Sequence, residues 1–515
     1  MVQTKKWERL ATAALSVDRQ LYLIAAAASL ALSIWGAWAQ FIPNPDAALY
    51  LRAAELIADG RWTAAVELYR WPTYSVAIAA VMTLTGMKAL LAAQIVNAVF
   101  AVVTTVAFIG LVSRLANGDR LVVLCAAIVI LLQPHLTSMR PAIIRDHGYF
   151  AFFVLSLYLV ARDVASPSRA TKVGISAAIV AAGLFRIEGF LLAALVPIFY
   201  TVREPGNWRR PSTILAIIAA CLLLVPGLVL WSSGILSQWL TGRVDISGLA
   251  SAWTGVANTI AARVHDLKYG FLYPYGGGNA WGAYVGITLG IVIVNVVRAV
   301  TVPLAILTVF AFLPRHVMPR AANRFVLWFA FGQAPMLLVF TFVSLQLDQR
   351  YAIGMALVLD IALAYLIAEA MRQWRARSAE RFFLPVAAVV LVAVWAFEVP
   401  LPSKLADLKE AGEWISRETP SNARILTNDA RIAYFSGRPY GQNMRVWAPG
   451  STAPSAAEFA EFDYFAFDID ANDLPAEIGK LPAMQVVQTF AGKDGSTVII
   501  YVRQRDAAPS AGVAR

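Results

Sequence analysis

Carboxylates and arginines stand beside one another at a few places in an otherwise apolar chain, and those places are where chemistry is available. Asp46 follows Pro43-Asn44-Pro45 and precedes a stretch holding Tyr50, Arg52 and Glu55. Arg140, Arg145, Asp146 and His147 share RPAIIRDHGYF, Arg186 and Glu188 share LFRIEGF, and Asp348, Arg350 and Tyr351 share QLDQRY. A fixed carboxylate takes a proton from a hydroxyl or amine, a general-base contribution of about 10² to 10⁴-fold. Guanidinium groups hold phosphate through charge-assisted hydrogen bonds. The combination suits transfer of a group from a phosphate carrier to a nucleophile. Each feature also has a plainer reading: Asp46 as a helix-start residue, Arg145–Asp146 as an interfacial anchor, and Tyr69, Tyr74, Trp62 and Trp71 as an aromatic belt rather than a sugar platform. His265 has no ligand cluster around it, so no metal and no other cofactor is expected. The glycines 276–278 lack the preceding strand and following lysine of a phosphate loop, which argues against a bound nucleotide donor.

The elements that must position these groups are membrane helices. With 59% hydrophobic and 15% charged residues and a mean hydropathy of +0.62, the main solvent of the 515-residue chain is the bilayer. Eleven crossings are expected, at about 21–40, 89–113, 120–134, 148–163, 172–185, 188–202, 212–233, within 282–312, 325–345, 351–371 and 382–399. The stretch 74–87 is too short to span and is expected to insert partly, while Arg298 fits no loop. Lys5, Lys6 and Arg9 before a first apolar run of about twenty residues look like a signal peptide, but the many following spans favour an uncleaved helix. Cys125 and Cys221, inside apolar segments, read as small core residues.

Lysines and arginines concentrate in alternate short loops, including Arg114 and Arg120, Arg203 to Arg210, Arg315 to Arg324, and Arg372 to Arg381. This positive-inside bias places the N-terminus in the cytoplasm and the carboxylate–arginine pairs outside it. The formal charge of +11 is spread over those loops rather than along one face, which excludes nucleic acid as a partner. The expected fold is mainly α: a polytopic transmembrane bundle over 1–402, with amphipathic helices in a first outer loop at 41–88. A small α/β domain over 403–505 lies outside the cytoplasm, followed by a disordered tail at 506–515. Its helix is ADLKEAGEWISRE, its strands lie in ARILTN, FDYFAFDID, QVVQTF and STVIIYV, and Lys493-Asp494-Gly495 forms a hairpin turn.

These motifs, in their order, resemble the multispanning GT-C glycosyltransferases, particularly the protein O-mannosyltransferases and the lipid A aminoarabinose transferase. The resemblance is carried by PNPDAALYLRAAELIADG, WPTYSVAIAA, RPAIIRDHGYFAFFVLSLYL, GLFRIEGFLL, QLDQRYAIGMALVLDIA and WISRETPSNARILTNDARIAYFSGRPYG. It implies a bacterial inner-membrane enzyme with a periplasmic site. Asp46 matches the catalytic carboxylate and Asp146 the second acidic position. Arg145, Arg350, Arg186, Arg140 and Arg70 are then candidates for the donor phosphate, and Tyr50, Glu55, Tyr74, Glu188, Asp348 and Tyr351 for substrate. The chain departs from the family where Arg70-Trp71-Pro72 stands for Lys-Pro-Pro and Asp46-Ala47 for Asp-Glu.

The implied reaction moves a sugar from a polyprenyl-phosphate donor to a lipid, glycan or protein acceptor in one inverting step. Asp46 acts as base, and the arginines stabilise the leaving phosphate. The alternatives are a flippase for lipid-linked saccharides, against which the lack of related halves argues, and a ligase using a diphosphate-linked oligosaccharide.

Overall fold

The structure, a computed structural model, describes residues 19–202, 248–272, 276–300, 317–375, 383–400, 405–438, 443–447, 456–469, 484–492 and 496–503. Apolar composition and capping residues set the helices. In chain order they are α1 (Arg19–Ala39), α2 (Pro45–Ala58), α3 (Trp62–Leu68), α4 (Thr73–Thr85), α5 (Ala89–Leu115), α6 (Arg120–Leu131), α7 (Pro134–Met139), α8 (Asp146–Ala165), α9 (Arg169–Phe185) and α10 (Leu191–Val202). They continue as α11 (Gly248–Asp266), α12 (Ala280–Val300), α13 (Arg320–Phe331), α14 (Ala334–Ser344), α15 (Gln349–Arg375) and α16 (Phe383–Glu398). Asp119 caps α6 by accepting from the amides of Leu121 and Val122, and Ser168 caps α9 through Thr171. Gly86, at φ +71°, ends α4 in the left-handed conformation that glycine adopts without strain.

Among the described residues, six helical stretches are long and apolar enough to cross a membrane: Arg19–Ala39, Ala89–Leu115, Asp146–Ala165, Gly277–Val300, Arg320–Ser344 and Gln349–Arg372. Thr73–Thr85, Arg120–Leu131 and Ile187–Val202 are apolar but shorter. Of the eleven expected crossings, 212–233 lies outside the described residues, as does the end of 282–312. Arg298, unplaced by sequence, falls in the last turn of α12, where its carbonyl accepts from or faces His135 Nε2 at 2.6 Å.

The chain forms two compact units. The first comprises Met1–Ile34, Asn97–Arg140 and Arg145–Val399. Of the six long apolar stretches, α15 is the most enclosed, packed against α6, α12 and α13. Its buried face is rich in small residues, including Ala352, Ala356, Ala362, Ala364 and Ala368, which let neighbouring helices approach where burial from lipid gives little drive. At its far end Arg372 pairs with Asp119 and, at 3.1 Å, with Glu369.

The second unit comprises Trp35–Val96, Pro141–Ile144 and Pro400–Arg515. In it α2 packs on α3 and α4, and the C-terminal part adds α17 (Ala406–Glu418), α18 (Ala430–Phe435), a short helix Ala456–Phe459 and five strands. These are β1 (Ile425–Thr427), β2 (Met444–Val446), β3 (Tyr464–Ile469), β4 (Met484–Ala491) and β5 (Thr497–Arg503), in the order β2-β1-β3-β5-β4. β1 runs parallel to β2 and β3, whereas β5 is antiparallel to β3 and β4. Alternation along β1 sends Ile425 into one core with Leu408, Ile415 and Ile500, and Leu426 into another with Phe465, Phe467 and Tyr501. The expected helix and strands therefore form, with β2 and α18 added. The turn at 493–495 and the tail at 506–515 lie outside the described residues.

Three glycines interlock α8, α9 and the 3₁₀ turn Ile187–Phe190 of the first unit. A Cβ on Gly148 would stand 2.4 Å from the Phe185 ring, on Gly183 2.5 Å from the Phe190 ring, and on Gly189 2.4 Å from the backbone of Ala182 and Gly183. Rings can swing, but a helix backbone cannot. Gly189→Ala is therefore expected to destabilise the protein toward the upper end of the roughly 1–3 kcal/mol that overpacking costs, and Gly183→Ala by less, read as thermal unfolding midpoints of the purified proteins.

Candidate functional site

Asp146 opens α8, where the amides of the first turn favour a carboxylate. Arg186 sits one residue beyond α9, and Glu188 lies in the 3₁₀ turn that follows. The glycine contacts bring these two ends together. Arg186 Nη1 donates to Asp146 Oδ1, Nη2 to Glu188 Oε1 at 2.8 Å, and Nε to Glu188 Oε2 at 3.3 Å. The side chains of Arg186 and Asp146 are 3% and 2% exposed, so water screens this network hardly at all. Burial acts to lower the guanidinium's proton affinity, and the adjacent Asp146 and Glu188 carboxylates more than reverse that, holding it well above its ordinary value.

Two tyrosines complete the enclosure. The Arg186 guanidinium lies 4.3 Å from the centre of the Tyr351 ring and 5.8 Å from that of Tyr149. Tyr351 is itself stacked on Phe340 at 4.6 Å. One turn further along α15, Gly354 leaves the space that Gln333 Oε1 and the Tyr149 hydroxyl approach, a Cβ there being only 2.6 Å and 3.1 Å from them. Arg350, in the first turn of α15, pairs with Asp348 at 3.4 Å and is half-buried. Arg145, which caps α8 by position, makes no ion pair among the described residues. Asp146, Arg186, Glu188, Asp348, Arg350 and Tyr351, singled out by sequence from three distant stretches, thus meet in one unit. Tyr149 and Gln333 were missed. Tyr149 stands three residues after Asp146, a helical spacing that places it on the same side, whereas nothing local marks Gln333.

Arg140 belongs to the same unit but to a different environment. Its Nη1 donates to the Ser29 carbonyl at 3.1 Å and to the Ser29 and Ser33 hydroxyls at 3.2 and 3.1 Å. These partners are neutral, and burial pushes the guanidinium down to about 10.

In the second unit Asp46 is exposed in the first turn of α2. Asn44 stands at the N-cap position yet does not cap; its Oδ1 instead accepts from the amide of Ile143 at 2.7 Å, tying the helix start to residues 141–144. Tyr74 is fully buried and Tyr50 nearly so, edge-on to each other at 5.4 Å, with Tyr69 5.0 Å from Tyr50. Both rings therefore serve helix packing in this conformation. Glu55 pairs with Arg52 at 2.9 Å, and Arg70 is exposed. α18 packs on α2, and burial together with nearby Glu55 pushes the Tyr434 hydroxyl up to about 12.

This architecture has solved counterparts. Over 94% of this chain and 41% of that chain, it matches a mutant form of the arabinofuranosyltransferase AftD from Mycobacteria, with a TM-score of 0.51 and 14% identity. The likeness is one of fold, which this chain shares with that solved structure. A second AftD structure matches at a TM-score of 0.44 and 13% identity over 94% of this chain and 40% of that one. ArnT from Cupriavidus metallidurans, in the apo state, matches at 0.43 and 14% over 93% and 97%. The chain spans about two fifths of the AftD chains. No protein-family model and no curated protein sequence matches it.

Removing Arg186 leaves two carboxylates facing each other without water. Arg186→Gln is expected to cost about 3–5 kcal/mol. Asp146→Asn, which leaves the Glu188 pair intact, should cost less. Combining Arg186→Gln with Asp146→Asn and Glu188→Gln should recover part of the loss, because no unpaired charge is left buried. Unfolding midpoints of the four proteins measured side by side check this order.

Proposed function

We propose that the chain is a glycosyltransferase that moves a sugar from a polyprenyl-phosphate donor to an extracytoplasmic lipid, glycan or protein acceptor, with inversion at the anomeric carbon. The observation that carries this reading is the convergence of Asp146, Arg186, Glu188, Asp348 and Arg350 in one unit, because ionisable groups at a membrane are expensive, must pair or face a polar cavity, and commonly mark a substrate path. A lipid carrier brings the donor laterally to such a group, and its phosphate needs cations.

In the membrane unit we assign that task to Arg350 and Arg145. Arg186 is already held by two carboxylates, so its proposed task is to position Asp146 and the Glu188 turn. In the second unit we assign Asp46 as the base that takes the acceptor's proton. An exposed carboxylate on a helix start is accessible to an acceptor, and the Asn44–Ile143 hydrogen bond fixes that start. As the acceptor oxygen or nitrogen bonds to the anomeric carbon, the bond to the carrier oxygen breaks, and the polyprenyl phosphate leaves with its charge stabilised by arginine. Phosphate is a competent leaving group, so charge stabilisation matters more than its protonation.

Asp46→Asn removes one exposed charge from the first turn of α2, a loss of about 0.3–1 kcal/mol, so the unfolding temperature should fall only slightly. Transfer of radiolabelled sugar from synthetic polyprenyl-phosphate donors, in membranes with matched protein levels, should nevertheless fall by about 10² to 10⁴-fold. Transfer unchanged in Asp46→Asn would remove Asp46 from the reaction. Label that crosses the bilayer without changing carrier would replace the transferase with a flippase. Arg145→Gln should weaken donor use at matched folding, and Arg145→Lys should restore part of it.

A further inference from the structure

Two polar groups of the membrane unit, Gln333 and Tyr149, have no task in the reaction so far. Both are buried, at 3% and 4% exposure. Gln333 Nε2 donates to the Phe329 carbonyl at 2.9 Å, and that bond identifies Oε1 as the atom turned the other way. Among the described residues neither Gln333 Oε1 nor the Tyr149 hydroxyl has a hydrogen-bond partner. Both nevertheless converge on one point, the place of the side chain that Gly354 lacks. A Cβ there would stand 2.6 Å from Oε1 and 3.1 Å from the hydroxyl. A buried polar group without a partner is costly, the more so at membrane depth, so such a pair marks where a polar atom of a ligand belongs. The helical spacing ties this point to the donor. Arg145 stands four residues before Tyr149, and Arg350 four before Gly354, so each arginine assigned to the donor phosphate shares a helix face with one member of the group. One helical turn, about 5.4 Å, separates them, which is close to the width of a sugar ring.

We propose that Gln333 and Tyr149 recognise one hydroxyl group of the sugar being transferred, and that Gly354 makes room for it. The assignment rests on the transferase reading and adds to it a requirement on the donor. An amide oxygen accepts only, whereas a phenol both donates and accepts. A sugar hydroxyl, which also does both, donates to Oε1 and accepts from Tyr149, so one group satisfies the two together. An ionised phosphate oxygen has no proton to give to Oε1, and an isoprenoid chain would leave both atoms unpaired. The neighbouring Arg186 is held by Asp146 and Glu188, so it does not compete for either oxygen. A Cβ at position 354 would take the place of the hydroxyl, which makes this glycine a size filter as well as a packing residue.

The test uses the full-length protein in proteoliposomes with polyprenyl-phosphate donors of mannose, glucose, galactose, arabinose and xylose, followed by the monodeoxy analogues of whichever donor is used best. For wild type, kcat/KM should fall by about tenfold with one analogue, the one lacking the recognised hydroxyl. Tyr149→Phe and Gln333→Leu should each lose about tenfold with the parent donor and almost nothing further with that analogue. Toward the other analogues both variants should discriminate as wild type does. Gly354→Ala should lose more with the parent than with the same analogue. Melting midpoints of all the proteins establish that they are folded. Losses in Tyr149→Phe and Gln333→Leu that are equal for the parent and every analogue would overturn the assignment, because residues that only pack the helices give that result. Unchanged kcat/KM in both would also overturn it, as a pair bridged by water alone predicts. No transfer by wild type from any of these donors would instead overturn the transferase reading, and this assignment with it.

Discussion

The buried bond between Arg186 and two carboxylates is the constraint on which the membrane unit turns. A guanidinium nearly out of contact with water, between Asp146 and Glu188, is tolerable only because both negative charges are within hydrogen-bonding reach. That requirement fixes where α8 begins, how α9 ends and how tightly the chain turns before α10. Gly148, Gly183 and Gly189 are the steric counterpart of the same constraint, each occupying a place where a methyl group would collide. Tyr149 and Tyr351 then close over the cation, so that α15 is held to the same centre. In the proposed reaction, a centre fixed by these contacts would stabilise charge as it develops rather than after the surroundings rearrange.

The second unit meets a different demand, that of holding an exposed carboxylate on a fixed helix start. Asp46 is exposed, but the helix it starts is packed on α3, α4 and α18 and clipped at its beginning by Asn44. The C-terminal part thus packs on α2 through α18, beside forming its own two cores. Tyr50 and Tyr74, attractive in the sequence as sugar-stacking rings, are the core of that helical packing.

Much of this was legible in the sequence, for reasons that can be named. Paired charges in apolar surroundings stand out because each is costly alone, and this marked Asp146, Arg186, Glu188, Asp348 and Arg350. The regular alternation of FDYFAFDID and STVIIYV marked β3 and β5, and the 3.6-residue period of ADLKEAGEWISRE marked α17. What was not legible is who pairs with whom. Arg186 reads as a phosphate ligand until the fold shows its donors on two carboxylates 40 and 2 residues away. Arg140 reads as another, yet its described partners are a carbonyl and two hydroxyls. Neither the joining of residues 35–96 to the C-terminal sheet nor the three-residue strand β2 leaves a local periodic signal.

The most direct test of the whole account is the fate of the carrier. Purified protein in proteoliposomes, given a synthetic polyprenyl-phosphate sugar and a cell-envelope extract as acceptor, should release one polyprenyl phosphate for each sugar transferred. The new glycosidic bond should have the anomeric configuration opposite to that of the donor. Release of sugar with the donor's configuration retained, use of a diphosphate-linked donor only, or no release of carrier under any acceptor condition would contradict it.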